Sequence, residues 1–237
     1  MDTLAPRELE AVRAHLAVAL DVGDLGAGLA LAAELGPWFG LAKVGLELFT
    51  ATGPAAVTGL TERGVDVMAD LKLHDIPNTV GRAAAAAGRH GVRYLTVHAA
   101  GGPAMLAAAV DGLASTAPAA GVLAVTVLTS EIDATPSVLA ERVQLASAAG
   151  CAGVVCAATD LEVVRGQETG LVTVTPGIRL AGSEPGDQAR VSTPGAALAA
   201  GADILVVGRT VTSTPEPRVA AQAVATEAAR ALRQTLR

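Results

Sequence analysis

Short apolar runs rich in Val, Leu, Ile and Ala recur along the chain and alternate with segments of helical pattern. The runs cover residues 16–21, 41–45, 65–73, 94–98, 122–129, 153–156, 171–175 and 204–208. Helical patterns are predicted at 6–13, 28–35, 53–63, 79–90, 104–113, 137–149, 194–200 and 219–236. Continuous apolar runs are typical of parallel strands that are buried on both faces. The pattern therefore predicts an α/β protein with a parallel sheet.

The number of strand–helix units limits the possible architectures. Eight units in 237 residues predict a (β/α)8 TIM barrel, and no linker or break in composition divides the chain. We therefore expect one barrel domain spanning residues 1–237. An open, doubly wound sheet is the alternative, but it gives no particular reason for eight units.

Polar residues stand at or near the ends of most of the predicted strands. They are Asp21, Lys43, Asp70, Lys72, His98, Thr129, Ser130, Arg179 and Arg209. Taken singly, such residues are equally compatible with helix caps, snorkelling side chains or structural ion pairs. In a barrel, however, the carboxyl ends of all strands meet at one face, which carries the active site. We expect these groups to converge there, with His98 as a strand-end histidine outside the catalytic set.

The segment from Asp70 to Thr79 has the densest charge pattern. Asp70 and Lys72 are two residues apart, so an extended strand points them to the same side. Asp75 lies beyond the strand, near Pro77, which disfavours helical geometry at the preceding residue and predicts a turn. A surface salt bridge at a strand end is the alternative interpretation of this segment.

The last two strand ends predict a phosphate site. The loop over 177–191 carries Arg179, Gln188 and Arg190, and strand eight is followed by Gly208 and Arg209. Barrels often bind phosphate at these loops, where glycine allows close backbone approach and arginine supplies a planar fork of donors. No Walker or dinucleotide glycine motif is present. The residues alone indicate an enzyme of a phosphorylated metabolite.

Composition limits the kinds of molecule that the protein is expected to bind. The net charge of -6 and the lack of a Lys/Arg cluster argue against a general nucleic-acid binder, although an anionic small molecule stays possible. No run is long enough to span a bilayer and the start lacks a signal-peptide pattern, so we expect a cytoplasmic protein without membrane contact. Cys151 and Cys156 are expected to be small buried hydrophobes rather than zinc ligands.

The stretch Asp-Leu-Lys-Leu-His-Asp-Ile-Pro-Asn-Thr at 70–79 resembles the signature of the orotidine 5′-phosphate decarboxylase family. The similarity extends through Leu20-Asp21, Lys43-Val44-Gly45, the segments 125–130, 176–179 and 186–188, and Val206-Val207-Gly208-Arg209. At Leu180 the chain departs from the family pattern, in which many members carry proline. The resemblance implies cofactor-free and metal-free decarboxylation of orotidine 5′-phosphate to uridine 5′-phosphate, the last step of de novo UMP synthesis.

The resemblance also implies catalytic roles. Lys72 would donate a proton to C6 of the pyrimidine, and Asp70 would lie beside the departing carboxylate. Asp75 would come from the second subunit of a homodimer and complete an alternating network with Lys43, Asp70 and Lys72. A fixed ammonium stabilises the charge that develops on the ring carbon, and flanking carboxylates keep that ammonium charged.

Binding roles follow from the same resemblance. Asp21 and Lys43 would hold the ribose hydroxyls, Thr79 would join Asp75 from the partner, and Thr129 would contact the pyrimidine. Gln188 and Arg209 would bind the phosphate, and Pro176, Arg179 and Gly208 are expected to belong to the same substrate site.

Two rival functions remain open from the sequence. One is a magnesium-dependent decarboxylase or aldolase of the same fold, which shares the Asp-x-Lys-x-x-Asp core. That class uses an acidic metal ligand on strand two, where this chain has Lys43. The other is a non-catalytic sensor of a phosphorylated ligand, which would need the phosphate site but not Lys72.

Overall fold

A computed structural model describes residues 4–128, 135–182 and 190–235 of the chain. Eight parallel strands close into a barrel in sequence order, and the last strand pairs with the first. The strands are β1 (Leu16–Ala19), β2 (Leu41–Val44), β3 (Asp66–Leu73), β4 (Tyr94–His98), β5 (Gly121–Val125), β6 (Gly153–Val155), β7 (Val172–Thr175) and β8 (Ile204–Val207). The predicted (β/α)8 barrel is confirmed.

Helices surround the barrel between successive strands. In the described ranges they are α1 (Pro6–Arg13), α2 (Leu25–Leu35), α3 (Leu46–Thr52), α4 (Ala55–Thr61), α5 (Pro77–Arg89), α6 (Gly102–Ala114), α7 (Pro136–Ala148), α8 (Leu161–Arg165), α9 (Pro194–Ala199), α10 (Arg209–Thr212) and α11 (Pro217–Thr235). Among these helices, none combines the length and the apolar character that crossing a bilayer requires.

The core has two layers, because each strand is buried on both faces. In β1, Ala17 and Ala19 belong to the cluster inside the barrel, whereas Leu16 and Val18 pack outward against the helices. The inner cluster is Ala17, Ala19, Leu41, Met68, Leu123, Val174, Ile204 and Val206. Both predicted buried cysteines, Cys151 and Cys156, are free and buried in the outer layer.

Two predicted segments differ most from the structure. The fifth strand is predicted to end at residue 129, but β5 ends at Val125. Val127 and Leu128 continue the apolar run because they line a cavity, not because they pair with a neighbouring strand. One helix was predicted over 53–63. The structure has α3 and α4 instead, because Gly53 adopts a left-handed φ of 64° and Pro54 follows it.

Candidate active site

A cavity of about 560 Å³ opens at the carboxyl ends of the strands. Its apolar lining comes from the barrel interior and includes Ala19, Met68, Val125, Val155, Val174 and Val206. Its charged lining consists of Asp21, Lys43, Glu47, Asp70, Lys72, Arg179 and Arg209. The predicted convergence of strand-end polar groups therefore holds for strands one, two, three, seven and eight.

An alternating chain of charges forms one wall of the cavity. The Nζ atom of Lys43 lies 2.8 Å from Oδ1 of Asp21 and 3.7 Å from Oδ2 of Asp70. The Nζ atom of Lys72 lies 2.7 Å from Oδ1 of Asp70. These are the two lysines of the chain, and each is fixed by a carboxylate beside an apolar surface. The arrangement holds a positive charge at a defined point in the cavity.

The two ammonium groups keep Asp70 ionised. Burial by itself raises the pKa of the Asp70 carboxyl, but Lys72 and Lys43, with hydrogen bonds from Lys72 and Thr96, outweigh it and hold the pKa below its usual value. The carboxylate side chain is only 14% exposed. Because Asp70 stays charged, its carboxylate holds the ammonium groups of both lysines in place.

A bulge in β3 places Asp70 and Lys72 on the cavity side. Ala69 pairs with Leu95 and Leu73 pairs with Val97, so β3 advances four residues while β4 advances two. Within this bulge Lys72 adopts a φ of 48°, a left-handed conformation that costs a non-glycine residue about 1–3 kcal/mol. The side chains meet as predicted, but through a bulge that re-aims them rather than through a regular strand.

The opposite wall is cationic and has glycines at its base. Arg179 and Arg209 line the cavity with Gly177 and Gly208, next to Pro176. Burial, and then repulsion by Arg209, lower the pKa of Arg179. Two neighbouring arginines beside exposed backbone favour an anion such as phosphate.

Backbone bonds fix the loop that carries Arg179. The N–H of Arg179 donates to the Ser192 carbonyl at 2.9 Å, and the N–H of Ser192 donates to the Gly177 carbonyl at 3.1 Å. The Arg179 guanidinium also donates to the Ile178 carbonyl at 2.9 Å. The guanidinium is therefore held in place by its own loop.

Asp75 and Thr79 do not join this cavity. Both are exposed and absent from its lining, and Oδ1 of Asp75 accepts a hydrogen bond from the Ile76 N–H at 2.6 Å. Ile76 beside them is 65% exposed, and Leu46, which begins α3 just after the neighbouring strand β2, is 56% exposed. The 70–79 segment thus divides into a part that faces this chain's cavity and a part that faces outward.

Two predicted contacts lie outside the described residues, namely Thr129 and Gln188. The residue before the first, Leu128, lines the cavity.

Arg190, which belongs to the loop with the predicted phosphate site, points elsewhere. Its guanidinium donates to both carboxylate oxygens of Asp160, at 2.7 and 2.9 Å, and to the Leu128 carbonyl at 3.0 Å.

Sequence reasoning assigned no role to three residues of the site. Thr96 contacts both Asp70 and Lys72, and its signal is a single polar residue within the apolar strand Tyr-Leu-Thr-Val-His. Glu47 lines the cavity from the first turn of α3, a helix that was not predicted. Gly45 is needed because a Cβ there would lie 2.8 Å from Nζ of Lys43 and 2.9 Å from Oδ1 of Asp21.

No cluster of three or more His, Cys, Asp or Glu side chains suited to a metal ion occurs in residues 4–128, 135–182 and 190–235. His98 lies at the end of β4, and its ring centroid is 5.5 Å from that of His74. It is not part of the cavity lining. Apart from Glu47, the charged groups that line the cavity are the carboxylates and lysines of the ion-pair network and the two arginines.

The chain is similar in sequence and in fold to known proteins. A family model described as orotidine 5′-phosphate decarboxylase / HUMPS family matches residues 14–224. An orotidine 5′-phosphate decarboxylase of Moorella thermoacetica is 48% identical over 92% of this chain and 95% of its own length. The crystal structure of orotidine 5′-phosphate decarboxylase from Lactobacillus acidophilus superposes with a TM-score of 0.76 at 33% identity, covering 90% of this chain and 98% of that one.

Proposed function

The chain belongs to the orotidine 5′-phosphate decarboxylase / HUMPS family, and on that basis we propose that it converts orotidine 5′-phosphate to uridine 5′-phosphate and CO2 without a metal or cofactor. This reaction is the last step of UMP synthesis, and it makes the protein a carboxy-lyase. The observation that carries the proposal is the Lys72 ammonium, held 2.7 Å from Asp70 in a cavity whose other wall carries Arg179 and Arg209.

Lys72 performs the central chemistry in this proposal. The bond between C6 and the carboxylate carbon breaks, CO2 leaves, and the electron pair stays on C6. The Lys72 ammonium stabilises that charge and then transfers a proton from Nζ to C6, and solvent later returns the proton to the lysine. Asp70 faces the substrate carboxylate, and their mutual repulsion is relieved as CO2 departs.

The arginine pair anchors the substrate far from the reacting carbon. Phosphate bound by Arg179 and Arg209, next to the backbone of Gly177 and Gly208, supplies binding energy that can be used at the transition state. Asp21 and Lys43 hold the ribose hydroxyls between the two ends. Thr129 and Gln188 complete the pyrimidine and phosphate contacts.

The position of Lys43 supports a reaction without a divalent cation. Its ammonium lies between Asp21 and Asp70, at 2.8 and 3.7 Å, and so neutralises the two carboxylates that a magnesium ion would otherwise use. A magnesium-dependent relative needs an acidic side chain at this point, and here a cation takes that place.

A homodimer with shared sites fits the outward half of the 70–79 segment. Asp75 and Thr79 are exposed and cannot serve the cavity of their own chain as arranged. The exposed apolar side chains of Leu46 and Ile76 lie on the same rim and favour burial against a second copy. In such a dimer, Asp75 would extend the partner's Lys43–Asp70–Lys72 network, with Thr79 beside it.

One assay separates this proposal from its rivals. The protein is treated with EDTA and mixed with orotidine 5′-phosphate, and the loss of the substrate's ultraviolet absorbance is followed. We expect turnover without added metal. Turnover that appears only after magnesium is added would favour the metal-dependent class. Tight binding of the nucleotide without turnover would favour a sensor.

A further inference from the structure

Thr96, at the middle of β4, lines the cavity next to Asp70 and Lys72. The residue is 0% exposed and stands opposite the β3 bulge, between the pairs Ala69–Leu95 and Leu73–Val97. The neighbours Leu95 and Val97 belong to the outer core layer, so the Thr96 side chain points to the inside of the barrel. It is the β4 residue that faces the widened part of β3.

The Thr96 hydroxyl joins the two central residues of the site. Its Oγ1 accepts a hydrogen bond from the backbone N–H of Lys72 at 2.9 Å. The same hydroxyl donates to Oδ1 of Asp70 at 3.0 Å, the oxygen that also accepts from Nζ of Lys72. A threonine hydroxyl has one donor hydrogen, and in Thr96 this hydrogen forms the bond to the Asp70 carboxylate.

These bonds meet two local needs. The bulge takes the Lys72 N–H out of the regular ladder, and a buried N–H without a partner is costly. Lys72 also holds a left-handed φ, which persists only when surrounding contacts impose it. A single hydroxyl satisfies the N–H and orients the carboxylate that pairs with the ammonium.

We propose that Thr96 is a positioning residue of the decarboxylation: its hydroxyl sets the placement of the Lys72 ammonium relative to Asp70. This inference rests on the proposed function. Thr96 does not touch the substrate in this role and acts through the two charged residues. The alternative is that Thr96 merely fills space in the strand, where its hydroxyl would not matter to the rate.

The test replaces Thr96 with valine, which keeps the shape and removes the hydroxyl. We expect Thr96→Val to lower kcat about ten- to hundredfold, because a buried donor loses its partner and the ammonium loses its fixed geometry. The KM and the Kd for uridine 5′-phosphate are expected to change less than about threefold, since Arg179 and Arg209 are untouched. Thr96→Ser restores the hydroxyl and should recover most of kcat.

The pH profile gives a readout that loss of packing would not move. The charged groups that face Asp70 are Lys43 from β2 and Lys72 from its own strand, with Asp21 behind Lys43. Removing the Thr96 donor leaves these in place but weakens the hold on the ionised form of Asp70, so the acid limb of kcat should shift to higher pH in Thr96→Val.

The matched control is Thr126→Val. Thr126 is also buried near a strand end, and its hydroxyl donates only to the Val155 carbonyl, at 2.9 Å, among the described contacts. Thermal unfolding of both variants separates loss of fold from loss of rate. If Thr96→Val does not fold, Thr96→Ala removes the same hydroxyl without placing a methyl group against Asp70, and the same kcat loss is expected.

The outcomes are distinct. Wild-type protein that does not turn over orotidine 5′-phosphate would defeat the proposed function itself. With an active wild type, unchanged kcat and acid limb in Thr96→Val would overturn the role of Thr96. Equal losses in the Ser and Val variants, or an equal loss in Thr126→Val, would also overturn it, because the hydroxyl at position 96 would then not be the cause.

Discussion

The Nζ atom of Lys43 lies 2.8 Å from Oδ1 of Asp21, and this ion pair occupies the space beside the α-carbon of Gly45. A Cβ at position 45 would lie 2.8 Å from the lysine nitrogen and 2.9 Å from the carboxylate oxygen. Both atoms are at the ends of flexible side chains. A larger residue would therefore displace the ion pair while leaving the backbone in place.

Gly45→Ala is expected to impair binding more than folding. The ribose contacts assigned to Asp21 and Lys43 would be pushed aside, so KM should rise about tenfold, the loss of roughly one hydrogen bond to a charged group. The melting temperature should fall by only a few degrees, because the backbone at Gly45 has a negative φ of -87° that alanine accepts. Gly23→Ala is the matched control, since a Cβ there meets nothing within 4 Å. An unchanged KM in Gly45→Ala would remove the Lys43–Asp21 pair from substrate binding.

Asp70 predicts a pH dependence of stability with a definite sign. Burial raises the pKa of the Asp70 carboxyl, but the opposing effect of Lys72 and Lys43 is larger. The pKa in the folded state therefore lies below that in the unfolded state. Such a group stabilises the fold above its unfolded pKa, and this contribution is lost as the pH falls through the folded pKa. The stability difference between wild type and Asp70→Asn, measured by chemical denaturation, should be constant above about pH 5 and narrow below about pH 4. A difference that widens on acidification would contradict this electrostatic account.

Arg209→Ala should weaken substrate binding with a smaller effect on other properties. A charge-assisted bond to phosphate is worth about 1.5–3 kcal/mol, so KM is expected to rise about ten- to hundredfold. Arg93→Ala is a suitable control, because Arg93 pairs with Asp66 at the start of β3 and its side chain is 52% exposed. Steady-state kinetics on both variants measure the effect. Equal KM values for Arg209→Ala and wild type would refute the phosphate assignment.

Mixing two inactive variants tests whether sites are shared between subunits. Lys72→Ala and Asp75→Ala proteins should each be inactive, but a mixed dimer would contain one site with both native residues. After subunit exchange at equal amounts, about a quarter of the wild-type activity is expected, because half the dimers are mixed and each has one intact site. Lys72→Ala mixed with Asp70→Asn should not recover, since both residues serve the same cavity. Absence of recovery in the first mixture, with exchange verified, would argue against sharing.

The barrel and most of its rim could be predicted from sequence, because both follow from local pattern. Eight apolar runs give the number of strands, and most strand ends carry a polar group of their own, as with Asp21 and Arg209. The resemblance added the roles, which composition and spacing alone do not provide. The length of an apolar run predicts the end of a strand less well, since Val127 and Leu128 continue the apolar run beyond β5 while lining the cavity.

Contacts between distant segments were not predictable in the same way. The β3 bulge depends on the register with β4, so the sequence around Lys72 does not reveal its left-handed backbone or its bond to Thr96. Arg190 was grouped with the phosphate loop by proximity in sequence, but the buried Asp160 carboxylate, from another loop, binds it instead. Both depend on partners that only the closed barrel brings together.

The central claim is that the Lys72 ammonium stabilises the developing charge and donates the proton. Its most direct test is kcat for orotidine 5′-phosphate in Lys72→Ala, measured together with the Kd for uridine 5′-phosphate. Lys72→Arg is the companion variant, because it keeps the charge but holds its proton too tightly to donate it. We predict that Lys72→Ala lowers kcat by several orders of magnitude while still binding the product nucleotide, and that Lys72→Arg does not restore the rate. Turnover by Lys72→Ala close to that of the wild type would contradict the account.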